Sequence, residues 1–363
     1  MTTPLGTEEG LRAYLVAKQV EHTSIELLTG GTANYVYRVT LPSGQTIVYK
    51  HAAPFLQSNT NFAFDSARMD YEDRALEILP PLLLKQVPDS RVHAVEWHSY
   101  DRGQKLLCIG DGGIRHLKSA YTDPSLDITT IGREIGQWIA ALHLCSTNTS
   151  LSLTNNQDLQ ANNDIGVNIY RYSYLHFPKA LSDYNHDPSL GESINDDFGS
   201  RLATDNECVC HGDFWPGNVL VNLKDGEKSA DLTVVDWEMV RRGTSATDVA
   251  QFAAESFLLD RFRGNRGLLP VFLDTYASAR SGENEGHVTI GREWVRRMAV
   301  HWGVHVAFWP TRVDWTDREG TQKLVDIGVE VIRAAVEGDW NRLEKTDLFN
   351  KTGGVWRQLW VRM

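Results

Sequence analysis

The sequence predicts an α+β chain of two lobes, a small antiparallel-sheet N-lobe over residues 1–111 and a larger, mainly helical C-lobe over residues 112–363. Three observations lead there. At 363 residues the chain exceeds the size at which a single hydrophobic core usually stops growing. Short runs rich in β-branched and aromatic residues, divided by Gly and Pro turns, fill the first part of the chain. Beyond them, apolar residues recur at the helical period.

In chain order, Thr7-Glu8-Glu9 reads as a helix start, because carboxylates favour the positive end of the helix dipole, and Leu11, Tyr14 and Leu15 supply its apolar stripe. Ile25–Leu28, Tyr35–Thr40 and Thr46–Lys50 read as an antiparallel meander, interrupted by Thr29-Gly30-Gly31-Thr32-Ala33-Asn34 and by Pro42-Ser43-Gly44. A helical pattern around Tyr71, Ala75 and Ile78 is expected to end at Pro80-Pro81. Two short strands follow, near Val92–His98 and Lys105–Ile109, and Asp111-Gly112-Gly113 is the candidate hinge. Past it, Ile131, Ile135, Trp138, Ile139 and Leu142 mark one buried helical face, and Leu324, Ile327, Val331 and Ala335 repeat the pattern. Residues 146–164, rich in Ser, Thr, Asn and Gln, read as a loop or insertion.

Composition narrows the function. A hydrophobic fraction of 42% with 23% charged residues is that of a folding chain. A net charge of -11 argues against nucleic acid or an anionic membrane as partner. Four cysteines, Cys108, Cys145, Cys208 and Cys210, supply neither a disulfide framework nor a four-ligand zinc site, and Cys208-Val209-Cys210 reads as a buried strand. The opening residues carry no basic and apolar leader pattern, and no apolar run of about eighteen residues occurs. The expectation is a cytoplasmic protein.

The chemistry concentrates in Cys210-His211-Gly212-Asp213-Phe214-Trp215-Pro216-Gly217-Asn218. Pro216 and Gly217 break regular structure, so Asp213 and Asn218 project from one tight loop. The strand Leu232–Val235 then delivers Asp236 from the far arm of a hairpin. Phosphoryl transfer needs such a set: a carboxylate to orient an attacking hydroxyl and take its proton, and hard oxygen ligands for Mg²⁺. Asp213 suits the first role, Asn218 and Asp236 the second.

Here the chain resembles the aminoglycoside phosphotransferase and choline kinase-like superfamily, small-molecule kinases of the protein-kinase-like fold. The family pattern of His-Gly-Asp, four residues, Asn, and a later strand ending in Asp matches His211 to Asn218 and Asp236. The resemblance implies a kinase that uses ATP and Mg²⁺ and takes a small-molecule hydroxyl acceptor. It implies nucleotide contacts from Gly30, Gly31, Thr32 and Asn34, although a Gly-Gly pair between strands also describes a plain hairpin. Lys50 resembles the lysine that holds the α- and β-phosphates, and Glu72 its ion-pair partner, with Asp70, Asp73 and Glu77 close by. Ile109, Gly110 and Asp111 resemble the linker that meets the adenine edge. Asp236 is followed by Trp237-Glu238, which makes Glu238 a candidate for the acceptor, and Asp248 is read as a helix cap.

Trp294, Trp302, Trp309 and Trp315 cluster with Asp314 and Asp317, a set that suits either a core or an ammonium pocket, with Trp309 the substrate candidate. Amine-bearing alcohols, aminoglycosides and sugars fit as acceptors. Two other readings are a nucleotide-binding pseudokinase or scaffold, and a metal-dependent hydrolase built on His211, Asp213 and Asp236.

Overall fold

The computed structural model describes residues 4–223, 230–281, 290–356 and 358. Residues 1–3 of the opening stretch and the tip of the hairpin that leads to Asp236 lie outside the described residues.

Helix α1 (Glu8–Ala17) starts on the Thr7 hydroxyl, which accepts from the Gly10 N–H. β1 (Ser24–Leu27), β2 (Tyr35–Thr40) and β3 (Thr46–His51) form the expected meander. β4 (Phe55–Leu56) and β5 (Asn59–Ala63) add a small hairpin, and α2 (Arg68–Gln86) crosses behind the sheet. β6 (Val92–Ala94), β7 (Trp97–Asp101) and β8 (Leu106–Gly110) follow. The main sheet has the order β1-β2-β3-β8-β7 and is antiparallel throughout. Because strand residues alternate between faces, Tyr37, Val39, Ile47, Tyr49, Leu106 and Cys108 pack under Leu11 and Leu15 of α1, while Val48, Leu107 and Ile109 join the main core on the other side.

Two expectations need correction. Pro80-Pro81 does not end α2, which runs on to Gln86. The two rings forgo hydrogen bonds to the carbonyls four residues back, a cost of about 3 kcal/mol or more. Burial of Leu76, Leu79 and Leu83 on the core, at about 1.5–3 kcal/mol each, outweighs it. Residues 92–110 also hold three strands, not two. β6 leaves the first sheet and pairs in parallel with a second-lobe strand, Val92 opposite Leu232.

The second lobe is mainly helical: α3 (Leu117–Ala120), α4 (Ile128–Cys145), α5 (Asp164–Tyr170), α6 (Tyr172–Asp183) and α7 (Pro188–Ile194), then α8 (Ser245–Phe262), α9 (Leu268–Arg280), α10 (Arg292–Phe308), α11 (Arg318–Glu337) and α12 (Trp340–Glu344). Between the two sets lie β9 (Cys208–Cys210), β10 (Val219–Asn222), β11 (Asp231–Val234) and β12 (Arg241–Gly243). The stripe read from the sequence of α4 is buried in full. β9 pairs with β12 and β10 with β11, so the β10–β11 hairpin lies between the two strands of an outer antiparallel pair, on a helical bed. Among the described residues no helix is long and apolar enough to cross a membrane.

The bed is tight. A Cβ on Gly303 of α10 would stand 2.7 Å from the Gly328 carbonyl oxygen of α11, and the reverse contact would be 2.5 Å. Gly303→Val is therefore expected to force α10 and α11 apart and to cost about 1–3 kcal/mol, read as a lower urea midpoint at an unchanged slope. An unshifted midpoint would show that the two helices tolerate wider separation.

Candidate active site

The loop after β9 is built around buried backbone donors. Asp248 of α8 accepts from the His211 N–H at 2.6 Å and the Gly212 N–H at 3.1 Å, with His143 at 3.3 Å. Asp248 is thus no helix cap. Thr244 fills that position, accepting from Ala246, while Asp248, wholly buried, anchors the loop. Burial opposes its ionisation, but His143 and Arg241 hold the carboxyl below the usual carboxylate range. The turn needs glycine at 212, where φ is +88° and a Cβ would meet the Met239 carbonyl.

His211 is committed to the same loop. Its Nδ1 accepts from the Asp213 N–H at 3.2 Å, and its Nε2 lies 3.1 Å from the Val235 carbonyl. Nδ1 must therefore be unprotonated, and burial pushes the imidazole down to about 4. With both nitrogens engaged, His211 offers nothing to a metal, which removes the hydrolase reading. The buried group His143, Cys208 and Cys210 fails likewise, since Tyr276 and Asp248 occupy both nitrogens of His143.

Asp213 faces the cleft between two amides. Asn218 donates from Nδ2 to its carboxylate at 2.9 Å, and Gln251 of α8 from Nε2 at 2.7 Å. Burial and the nearby Asp236 carboxylate push Asp213 up to about 7, against the two amides. A carboxylate that gives up its proton near neutrality suits a general base.

Lys50, at the end of β3, lies 2.7 Å from Glu72 and is also paired with Asp236. Glu72 is the partner in α2, which settles the choice among the four acidic residues there. Its second oxygen accepts from the Trp237 N–H at 3.2 Å. Burial pushes the Asp236 carboxyl up, but Lys50 more than offsets this and holds it below its ordinary range. Asp236 itself is left-handed, with φ +67° and ψ +62°, a conformation that costs a non-glycine residue about 1–3 kcal/mol and recurs at functional sites.

These residues fit a magnesium ion. Asn218 uses its amide nitrogen on Asp213, so its carbonyl oxygen is the atom left to coordinate. Lys50 engages one oxygen of Asp236 and leaves the other. The Val235 N–H donates to the main-chain carbonyl of Asn218 at 3.0 Å, which brings Asn218 and Asp236 to one end of the hairpin and leaves the Asn218 side-chain oxygen free. Hard, partly water-completed oxygen sets of this kind suit Mg²⁺.

Glu238 and Asn34 stand elsewhere than the sequence suggests. Glu238 does not open toward an acceptor: it is buried and accepts from Arg68 at 3.0 Å and Asn34 at 2.8 Å. Asn34 is likewise buried, holding the base of its loop, while Gly30, Gly31 and Thr32 are exposed. A Cβ on Gly31 would meet no protein atom within 4 Å. The carbonyls of Thr32 and Ala33 accept from Ser58 at 3.0 Å and Gln57 at 3.3 Å, so the β4–β5 hairpin clasps the glycine loop. Ile109 and Gly110 end β8, Gly110 N–H donating to Glu96 at 2.8 Å. Asp111 forms a bidentate pair with Arg38 at 2.5 and 3.0 Å.

Four participants escape the sequence reading. Arg68, fully buried, donates to Glu238, Asn34 and the carbonyls of Ala53, Phe64 and Asp65. Its one signal is an arginine in the first turn of a helix, where the dipole disfavours a cation. Gln251 and Glu255 follow Asp248 at i+3 and i+7, one face of α8, a spacing that was available. Lys118 has no local signal. The tryptophans divide: Trp294 and Trp302 are core, whereas Trp309 and Trp315 are half-buried near α3 and α6. Trp309 stacks on Tyr172 at 6.4 Å and lies 6.2 Å from His305. Asp317 caps α11, and the carboxylate beside the aromatics is Glu255 instead.

Comparison with known proteins finds relatives among kinases and phosphotransferases. A family described as the phosphotransferase enzyme family matches residues 24–286. A 4-hydroxytryptamine kinase of Psilocybe cyanescens is 28% identical, covering 94% of this chain and 96% of its own, and one of Psilocybe cubensis is 24% identical, covering 92% and 94%. An ethanolamine kinase of Plasmodium vivax shares the fold with a TM-score of 0.51 at 12% identity, over 91% of this chain and 89% of its own.

Two outcomes follow from the geometry. Gln251→Leu removes a hydrogen bond that favours the ionised Asp213, so the acid limb of the rate–pH profile, expected near 7 in the parent, should move to higher pH; an unmoved limb would detach Gln251 from Asp213. Arg68→Met leaves Glu238 buried without its cation and should cost about 3–5 kcal/mol. Adding Glu238→Gln should recover a large part, measured as a double-mutant cycle in urea.

Proposed function

The chain belongs to the phosphotransferase enzyme family and is a small-molecule kinase, and we propose that it moves the γ-phosphoryl group of ATP, with Mg²⁺, onto the hydroxyl of an amine-bearing aromatic compound. One observation carries the reading: Asp213, braced by Asn218 and Gln251, faces the Lys50–Glu72–Asp236 group across one cleft.

In this reading Asp213 orients the acceptor hydroxyl and receives its proton as the new O–P bond forms and the bond to the departing diphosphate oxygen breaks. Lys50, held by Glu72, binds the α- and β-phosphates, and the backbone at Gly30, Gly31 and Thr32 approaches the triphosphate. Val48 and Ile109 supply apolar cover for the base, with Gly110 and Asp111 at its edge. Asn218 and Asp236 would hold the metal, which neutralises phosphate charge when bound. Asn34 and Glu238 act from behind, through Arg68, to fix the loop. Trp215 and Trp315, which face one another across Lys118, the nearby aromatic pair of Trp309 and Tyr172, and relatives named as kinases of 4-hydroxytryptamine support an aromatic amine as acceptor.

The test is direct: incubate pure protein with labelled ATP, Mg²⁺ and, separately, 4-hydroxytryptamine, ethanolamine and an aminoglycoside, and identify the phosphorylated mass. The first is expected to be the best acceptor. Asp213→Ala should lower turnover by about 10²–10⁴-fold with nucleotide affinity largely kept. Near-parental turnover in that variant removes Asp213 from its role, and preference for either other acceptor overturns the aromatic assignment.

A further inference from the structure

We propose that Lys118 is a built-in occupant of the acceptor's ammonium subsite, a cage of Trp215, Trp315 and Glu255 from which a cationic acceptor displaces it. This deepens the kinase reading and rests on it for the identity of the bound molecule as an acceptor.

The cage and its occupant come from four separate parts of the chain. Lys118 comes from α3, Trp215 from the catalytic loop two residues past Asp213, Glu255 from α8 and Trp315 from the segment before α11. The Lys118 Nζ lies 4.8 Å from the Trp215 ring centroid and 4.6 Å from that of Trp315, so one ammonium sits against two aromatic faces. It is also 3.7 Å from Glu255 Oε2. This is the arrangement of charge, rings and carboxylate by which a protein recognises an ammonium ligand, and here the ligand is the protein's own side chain.

Lys118 fills the cage imperfectly. At 3.7 Å it makes an ion pair but no hydrogen bond, and Glu255 Oε2 is buried with no hydrogen-bond partner among the described residues. The other oxygen of Glu255 is engaged by His305 at 3.0 Å, which fixes the carboxylate in place. The Glu255 side chain is 9% exposed, whereas that of Lys118 is 27% exposed and so retains a way out to solvent. A free ammonium is not tied to a backbone, and can approach Oε2 to hydrogen-bonding distance while keeping both rings. Removing Lys118 without such a replacement leaves a buried carboxylate short of a cation, which favours its return when the acceptor leaves.

The position suits an acceptor. Glu255 follows Gln251 by one helical turn, about 6 Å along α8, and Gln251 touches Asp213. An acceptor whose hydroxyl rests at Asp213 therefore needs a short arm to carry its ammonium to the cage, and an acceptor without an amine leaves Lys118 where it is. Selection acts by exchange of one cation for another, so the net charge of the pocket is the same before and after binding.

The experiment measures binding without chemistry. The parent chain, Lys118→Met and Lys118→Met/Glu255→Gln are titrated calorimetrically, without nucleotide, with tryptamine and with indole, neither of which has a hydroxyl to phosphorylate. Lys118→Met is expected to bind tryptamine about tenfold more tightly than the parent, as for a subsite that its internal occupant leaves free about a tenth of the time, with indole unchanged. The added Glu255→Gln should erase the preference for tryptamine. Tryptamine binding that is unchanged, weaker or undetectable in Lys118→Met, or a preference that survives Glu255→Gln, overturns the proposal. Lys118→Gln serves the same comparison if the methionine variant misfolds. Failure here leaves the Asp213→Ala turnover result standing, and failure of that assay leaves the cage result standing, so the two readings fall separately.

Discussion

Three carboxylates within 4.8 Å of one another, on Glu72, Asp236 and Glu238, set the terms for the rest of the molecule. Like charges so close in a partly dry cleft repel strongly unless cations are built in beside them. The chain supplies two, Lys50 from β3 and Arg68 from the start of α2, both buried. Because Glu72 belongs to the first lobe and Asp236-Trp237-Glu238 to the second, neutralising the cluster and joining the lobes are one event. The same contacts position the strained Asp236 backbone and, through Asn34, the base of the glycine loop.

A second organising element is one face of α8. Asp248 gathers the loop amides at His211 and Gly212, Gln251 braces Asp213, and Glu255 closes the aromatic cage around Lys118. The helix is buried on almost every side, so these three groups cannot move independently. The anchor of the loop amides, the donor to Asp213 and the carboxylate beside Lys118 are held at fixed intervals by helix geometry. Rigid placement of this kind is what phosphoryl transfer asks of a protein, since positioning and charge stabilisation do most of its work.

The two corrections to the fold have a common cause. Pro80-Pro81 interrupts the local hydrogen bonding of α2, and the sequence around them favours a stop. The burial of Leu76, Leu79 and Leu83 on the core is a tertiary effect and wins by magnitude. Val92–His98 reads as one strand, but its first part, β6, has its partner β11 well over a hundred residues later, and no local pattern names a partner at that distance.

The sequence by itself determined the catalytic loop, because Asp213 and Asn218 lie on one short turn that Pro216 and Gly217 force to be tight, and such constraints are local. It determined too that Asp236 ends a strand, and that Lys50 precedes a helix rich in carboxylates. Only the tertiary structure decided which carboxylate Lys50 takes, that Glu238 and Asn34 turn inward to Arg68, that Asp248 serves the loop and not its own helix, and that Lys118 meets Trp315. Each of these joins side chains whose separation in space depends on how helices and sheet pack, and a pairing between distant residues exists only once the surfaces that carry them have met.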